Sequence, residues 1–247
     1  MERIGNIGSY GVKRAAGFDE EAQFNIGDRK HQYEVLKDIL KYMQKPKLDF
    51  CDLGCGTGFF TNAFFDVDPD SEGILLDASP EMLKMAEAKL VQHHNKLNFI
   101  CLRFQDINWK DFAGGFDVIF SSLAIHHLHN EEKWKLFKRI FEAIKPEGWF
   151  ILYDLICCAE PADTKLIEYL ACMDMQRRLL SHLELDFVPE EWSIDQLISN
   201  DRRIRREDGD REAVLEDQMG HLKQAGFSST VLVFLDGRIA GIACWKA

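Results

Sequence analysis

The spacing of apolar and polar positions divides the chain into short unbroken hydrophobic runs and longer amphipathic stretches. Residues 31–44 place Tyr33, Leu36, Ile39, Leu40 and Met43 at helical spacing, and Lys45-Pro46-Lys47 ends the pattern. From Leu48 onward, apolar runs at 48–53, 73–77 and 97–101 alternate with amphipathic segments that start at Thr57 and at Ser79-Pro80. Ser79 reads as an N-cap with Pro80 in the first helical position, ahead of Met82, Leu83, Met85, Ala86 and Leu90. The alternation continues with a strand at 116–121, a helix at 131–144 stopped by Lys145-Pro146-Glu147-Gly148, and a strand at 149–155. A further helix at 213–225 closes on Gly226, and 230–235 with 239–245 flank Asp236-Gly237 as a hairpin.

Strand–helix alternation of this kind predicts an α/β, Rossmann-like fold: a seven-stranded, mostly parallel sheet with helices on both faces and an antiparallel C-terminal hairpin. The chain reads as one domain over 1–247, with an N-terminal lid or helix region at 1–47. Residues 160–210 are too long for an ordinary connection, and Leu166, Leu170, Met173 and Leu180 have helical spacing. They predict a helical insertion after the fifth strand that caps the sheet's crevice. The charge run from Asp201 to Asp208 reads as a solvated face, with anion binding as the alternative.

Composition narrows the class of partner. A chain of 247 residues with 46% hydrophobic content fills one sizeable core. The formal charge of −11, from 41 acidic against 30 basic residues, disfavours a polyanion-binding surface, so nucleic acid is not the expected partner. No signal-like segment or long apolar run appears, which predicts a soluble, cytoplasmic protein with no membrane partner. The seven cysteines are scattered, odd in number and mostly within apolar runs; they read as buried free thiols, and no metal is expected.

The chemistry concentrates in Asp52-Leu53-Gly54-Cys55-Gly56-Thr57-Gly58, which reads as strand, glycine turn, helix. Alternate glycines permit backbone conformations closed to other residues and let a ligand lie against the main chain. Roughly 20 residues on, the second apolar run ends in Asp77, where doubly wound folds place an acid on a ribose. A nicotinamide-binding loop would show Gly-x-Gly-x-x-Gly, which the chain lacks.

The glycine turn, the acid in Leu75-Leu76-Asp77-Ala78-Ser79, Gln105-Asp106-Ile107 after the third strand, the segment 120–128 after the fourth, Ile144-Lys145-Pro146-Glu147-Gly148-Trp149 and the terminal hairpin together resemble the class I S-adenosylmethionine-dependent methyltransferases. The resemblance covers about 48–247 and implies S-adenosyl-L-methionine as cofactor, S-adenosyl-L-homocysteine as product and a small-molecule methyl acceptor. By it, Gly54, Gly56 and Gly58 admit the cofactor's amino acid part, Asp52 lies near its ammonium, and Asp77 accepts from the ribose hydroxyls. Asp106 would accept from the adenine amino group, with Ala78, Ser79, Met82 and Ile107 as walls. Cys55, contributing its backbone, and Ser121 complete the expected cofactor set.

The acceptor is expected beside Ser121–Leu128, where His126 and His127 are candidate catalytic bases; the alternative is a packed, non-reacting pair. The Asn/Asp-Pro-Pro-aromatic motif of base- and glutamine-methylating relatives is missing. Tyr10, Phe18, Phe24 and Arg29 make the N-terminal segment either an aromatic lid or a set of hydrophobes tucked on the core. Tyr169, Met173, Arg177, Phe187 and Trp192 are the acceptor-facing candidates of the insertion. A fainter resemblance, in the opening and Phe18-Asp19-Glu20, is to carboxy-S-adenosylmethionine synthases, which convert the cofactor itself and serve tRNA modification. That reading requires an arginine among Arg202, Arg203, Arg205 and Arg206 to meet the added carboxylate. A non-catalytic cofactor-binding protein is the third reading.

Overall fold

A computed structural model of the protein describes Phe18, Asp19, Ala22, Gln23 and residues 26–247. After helix α1 (Arg29–Tyr42), five parallel strands alternate with helices: β1 (Asp49–Leu53), α2 (Asn62–Val67), β2 (Glu72–Asp77), α3 (Pro80–Lys89), β3 (Leu97–Cys101), β4 (Phe116–Ser122), α4 (Asn130–Ala143) and β5 (Ile144–Cys157). Helices α5 (Pro161–His182) and α6 (Ile194–Asp208) form the insertion; β6 (Ala213–Val214), α7 (Leu215–Ala225), β7 (Ser229–Asp236) and β8 (Ile239–Trp245) complete the chain. The main sheet runs β3-β2-β1-β4-β5-β8-β7, with β8 antiparallel to both neighbours and β6 added as a short parallel eighth strand beside β5.

Two-residue periodicity inside the unbroken apolar runs explains how one sheet serves two cores. Phe50, Val118, Phe120, Ile151 and Tyr153 face α1, α2 and α3, meeting Leu36, Leu40, Phe64 and Ala86. Their immediate neighbours Cys51, Ile119, Phe150 and Leu152 face the other way, toward Leu136, Phe137 and Ile140 of α4 and Leu222 of α7. The predicted cap of α3 has its partner: Ser79 Oγ accepts from the Met82 N–H at 3.3 Å, with Pro80 opening the helix. Asp28, which the sequence reading did not single out, caps α1 by accepting from the His31 N–H at 2.9 Å.

Several boundaries differ from expectation; the fifth strand, for one, opens at Ile144 rather than Trp149 and runs through Lys145-Pro146-Glu147-Gly148. The helix expected from Thr57 begins at Asn62, because Gly56 and Gly58 have φ of 53° and 72°, outside the right-handed helical region. The segment 57–61 instead turns, sending Phe59 and Phe60 toward the crevice. The helix expected from Ala213 begins at Leu215; Ala213 and Val214 first pair with Ile156 and Cys157 of β5. All seven cysteines are free thiols. Among the described residues, no helix is long and apolar enough to cross a membrane.

Candidate functional site

Strand order reverses between β1 and β4, and in open α/β sheets such a reversal opens a crevice at the carboxyl ends of the strands. Here that crevice encloses about 1280 Å³, its open mouth included, and the turns following β1, β2, β3 and β4 line it.

The glycines of the first turn do different things. Gly54 and Cys55 donate backbone N–H bonds to the Leu76 carbonyl at 2.7 and 3.0 Å, tying the turn to β2. A Cβ on Gly56 would meet nothing within 4 Å, so its bare Cα fronts open crevice space. A Cβ on Gly58 would stand 2.8 Å from Leu90 Cδ1 and 3.2 Å from Ala86 Cβ; this glycine seats the turn on α3 and lies outside the crevice lining. Asp77 joins the first two turns, with Oδ2 accepting from the Gly56 N–H and Oδ1 from the Ser79 N–H, each at 2.8 Å. Burial raises its carboxyl above the ordinary range, although the N–H groups of Ser79 and Gly56 pull against that.

Asp52 lies at the crevice floor on β1, 2% exposed, and among the described residues its carboxylate accepts from Thr61 Oγ1 at 2.6 Å. Burial pushes its carboxyl up to about 7; the Thr61 bond opposes this, and the nearby charge of Asp77 adds to it. A buried carboxylate with a single neutral partner is costly, and a cation arriving from the crevice offsets that cost. The Gly56 cradle, Asp52, Asp77 and the apolar surface of Ala78, Met82 and Leu102 therefore fit a ligand with an ammonium, a ribose and an adenine.

The opposite wall follows β4. Leu123 takes φ of 50°, unusual for a branched side chain, while its N–H donates to the Tyr153 carbonyl at 2.8 Å; it lines the crevice with Ser122 and Ala124. The next turn separates the two histidines. His127, half-buried, lines the crevice; His126 is buried behind it. His126 Nδ1 lies 2.5 Å from Asp154 Oδ1 of β5, and its Nε2 lies 3.5 Å from Asp210 Oδ1. His127 Nδ1 lies 3.2 Å from that same Asp210 oxygen. Burial alone would lower the His126 pKa, but the charges of Asp154 and Asp210 reverse the shift and raise it. Asp210 is held below the ordinary carboxylate range: burial opposes this, and the two imidazoles outweigh it.

Asp210 reaches this turn because α6 ends on Gly209 in the left-handed conformation, φ 74°, after which the chain drops onto the turn. There Arg211 donates its N–H to the His126 carbonyl at 2.8 Å and its guanidinium to the His127 carbonyl at 3.0 Å. The insertion thus contributes Asp208 to the crevice lining and Asp210 to the histidines. Its other candidates Tyr169, Met173, Arg177, Phe187 and Trp192 do not line the crevice.

Of the expected cofactor residues, Asp52, Gly54, Cys55, Gly56, Asp77, Ala78, Ser79 and Met82 come together in the lining. Four others do not. Asp106 sits outside it, paired with Arg103 Nε at 2.7 Å, so that Arg103, Phe104 and Gln105 form the lining after β3. Ile107 packs in the core, and Ser121 is buried, donating to the Leu53 carbonyl at 2.7 Å; Gly58 packs on α3 as described. The arginine run is largely spent on internal pairs: Arg202 and Arg205 on Glu168, Arg203 on Glu207, and Arg205 also on Asp201 and Glu212. Tyr10 and Phe24 lie outside the described residues, whereas Phe18 and Arg29 line the crevice. Asp19 accepts from Thr57 Oγ1 at 2.8 Å and pairs with Lys89, fixing the start of the described chain to the glycine turn.

Comparison with known proteins bears on the family and the fold. Residues 50–148 match the family model described as a methyltransferase domain. Among curated relatives, a carboxy-S-adenosyl-L-methionine synthase of Helicobacter pylori is 28% identical over 156 residues, 63% of this chain and 62% of the relative. Malonyl-[acyl-carrier protein] O-methyltransferase 1 of Ilyobacter polytropus is 29% identical over 147 residues, 60% and 50% of the two chains. The matches therefore span less than two-thirds of these relatives' own lengths. An O-methyltransferase family protein from Burkholderia thailandensis shares the fold with a TM-score of 0.67 at 14% identity, over 97% of this chain and 61% of that one. Residues 50–148 are thus similar to a methyltransferase domain, within a chain that shares its fold with an O-methyltransferase family protein.

Proposed function

We propose that this methyltransferase domain moves a methyl group from S-adenosylmethionine to a small-molecule acceptor seated beside His127. The observation that carries the reading is the division of one crevice into two chemically different ends: the Asp52, Gly56 and Asp77 end, rich in acceptors, and the end walled by Leu123, Ala124, His127 and Leu128. When bound, the cofactor supplies an electrophilic methyl on a sulfonium. Asp52 and Asp77 hold the ammonium and ribose, Gly56 leaves room at the main chain, and Phe18, Phe59 and Leu123 exclude water from the middle of the crevice. His127 contacts the acceptor; His126, buried between Asp154 and Asp210, is a positioning residue. The net charge of −11 favours a compact acceptor over nucleic acid, and the seven free thiols fit a reducing cytoplasm.

The test is release of S-adenosylhomocysteine across a panel of phenols, carboxylic acids, thiols and amines, with wild type, His127→Ala and His126→Gln. Turnover with at least one acceptor class, and a loss of about 100-fold or more in His127→Ala at saturating cofactor, are expected. Cofactor binding without turnover on any class would favour a non-catalytic binding protein instead.

A second reading rests on Arg29, whose side chain is 10% exposed, lies 3.8 Å above the Phe59 ring, stands 3.7 Å from Asp19 Oδ1, and lines the crevice with its Nε unpartnered among the described residues. Such a guanidinium suits a carboxylate, as the carboxy-S-adenosylmethionine reading requires, and replaces the paired Arg202–Arg206 run in that role. The mass of the ligand that co-purifies with the protein decides between the two: a carboxylated cofactor supports the synthase reading, and unmodified cofactor or its thioether product supports methyl transfer.

A further inference from the structure

Three potential metal ligands converge at the acceptor end of the crevice. One nitrogen each of His126 and His127 and a carboxylate oxygen of Asp210 all lie within 4.8 Å of one another. The Asp210 oxygen is 3.2 Å from one imidazole nitrogen and 3.5 Å from the other, yet it is buried and accepts no hydrogen bond of good geometry. Ligand atoms held about 2.0–2.1 Å from a tetrahedral ion stand about 3.3–3.4 Å apart, so two of the three separations already have the required size.

The surroundings are those of an oriented ligand set. The Asp154 carboxylate on His126 Nδ1 leaves Nε2 to point at the shared centre, the arrangement by which carboxylates orient metal-bound histidines. Asp154 is itself fixed by the Leu155 N–H at 3.0 Å, and Arg211 clamps the carbonyls of both histidines. The buried Lys133 ammonium is turned away onto the Arg211 carbonyl and Asn130.

We propose that His126, His127 and Asp210 bind one divalent first-row transition ion, zinc, iron or manganese in class, with its remaining positions open to the crevice. Two imidazoles and one carboxylate suit such ions better than magnesium or calcium, which prefer all-oxygen sets. Because His127 lines the crevice, the open positions face the place assigned above to the acceptor. The ion takes an acceptor oxygen as ligand and makes a bound hydroxyl more acidic, its proton leaving to solvent through the open crevice mouth, since a metal-bound His127 is no base. This role rests on the methyl-transfer reading; the binding of the ion does not.

The test uses tag-free full-length protein stripped with a chelator and titrated with Zn²⁺, Mn²⁺ and Co²⁺, with bound metal counted by mass spectrometry and Co²⁺ absorption reporting tetrahedral or five-coordinate nitrogen–oxygen ligation. One equivalent at micromolar affinity is expected, weakened at least 100-fold in Asp210→Asn and His127→Ala and about 10- to 100-fold in Asp154→Asn. S-adenosylhomocysteine binding, measured on each variant, confirms that it is folded. Failure of wild type to bind a stoichiometric ion, or full retention of binding in the folded Asp210→Asn and His127→Ala variants, overturns the proposal. A protein that methylates an acceptor after complete metal removal would overturn the ion's role in transfer while leaving the methyltransferase reading intact.

Discussion

The buried carboxyl of Asp52 makes cofactor affinity and stability depend on pH in a way that a single substitution can isolate. Its pKa rises from 3.8 in an exposed setting to about 7 in the fold, chiefly through burial. A raised carboxyl pKa means that the folded state holds its proton more tightly than the unfolded chain. The associated stability is fully present below about pH 4 and is lost as pH rises toward 7. A shift of about three units corresponds to about 4 kcal/mol in total, of which about 2.5 kcal/mol falls between pH 5 and 7.5. For a chain of this size that lowers the melting temperature by roughly 5–10 °C across the same window.

An ammonium placed beside Asp52 favours the ionised form, so binding should release a proton below pH 7. Affinity should then climb by up to about 80-fold from pH 5 to 7.5 before levelling. Calorimetric titration with S-adenosylhomocysteine in buffers of different ionisation enthalpy counts that proton, and thermal melts follow the stability. Asp52→Asn preserves the shape and the bond from Thr61, and removes the titration. The wild-type minus variant difference also cancels His126, whose raised pKa makes its own contribution fade as pH rises. A variant with the wild-type pH slope, or a wild-type affinity flat from pH 5 to 7.5, would refute the argument.

Other perturbations separate ligand contacts from scaffold. Gly56→Ala should cost only about 1 kcal/mol of stability, from a left-handed alanine, while cutting S-adenosylhomocysteine affinity at least 10-fold by calorimetry. Gly58→Ala should do the reverse, costing roughly 2–3 kcal/mol by chemical denaturation because Leu90 and Ala86 must move. Replacing Asp77 with Ala removes two charge-assisted backbone bonds and should weaken the same ligand by about 10- to 100-fold. Glu168→Gln removes the charge shared by Arg202 and Arg205 and leaves Arg205 only Asp201 and Glu212; about 1–2 kcal/mol of stability and faster hydrogen exchange confined to α5 and α6 are expected.

The sheet was legible because its parallel strands are buried on both faces and appear as short apolar runs, each ending in a turn residue. Ser79-Pro80 and Asp236-Gly237 carry their own local physics, and the structure places a helix cap and a hairpin there. The reading faltered where local pattern competes with packing. Three glycines at alternate positions look equivalent, and only the positions of Leu90 and Ala124 reveal that Gly58 and Gly54 are packed while Gly56 is open. Asp106 shares a segment with the crevice-lining Phe104 and Gln105, but the pair with Arg103 turns it outward. The charge run at 201–208 is a mostly exposed face, as its pattern reads, but Arg205 pairs inward with Glu168 and Glu212, which lie far away or beyond the run in sequence.

The greatest gap between sequence and site lies in Asp154 and Asp210, and its cause is topological. Asp154 sits in an ordinary strand, and Asp210 follows a helix 83 residues beyond His127. No periodicity links them. They meet because β5 lies beside β4, placing Asp154 behind the histidine turn, and because β6 pairs with the end of β5, drawing the exit of the insertion down to the same edge. The two-residue strand β6 is therefore the element that assembles the acceptor end: its register on Ile156 and Cys157 sets where Asp210 and Arg211 land. The cofactor end needs no such return, since β1, β2 and β3 deliver it from consecutive turns. One end of the crevice can thus be read from neighbouring motifs, whereas the other depends on a long excursion closing on itself.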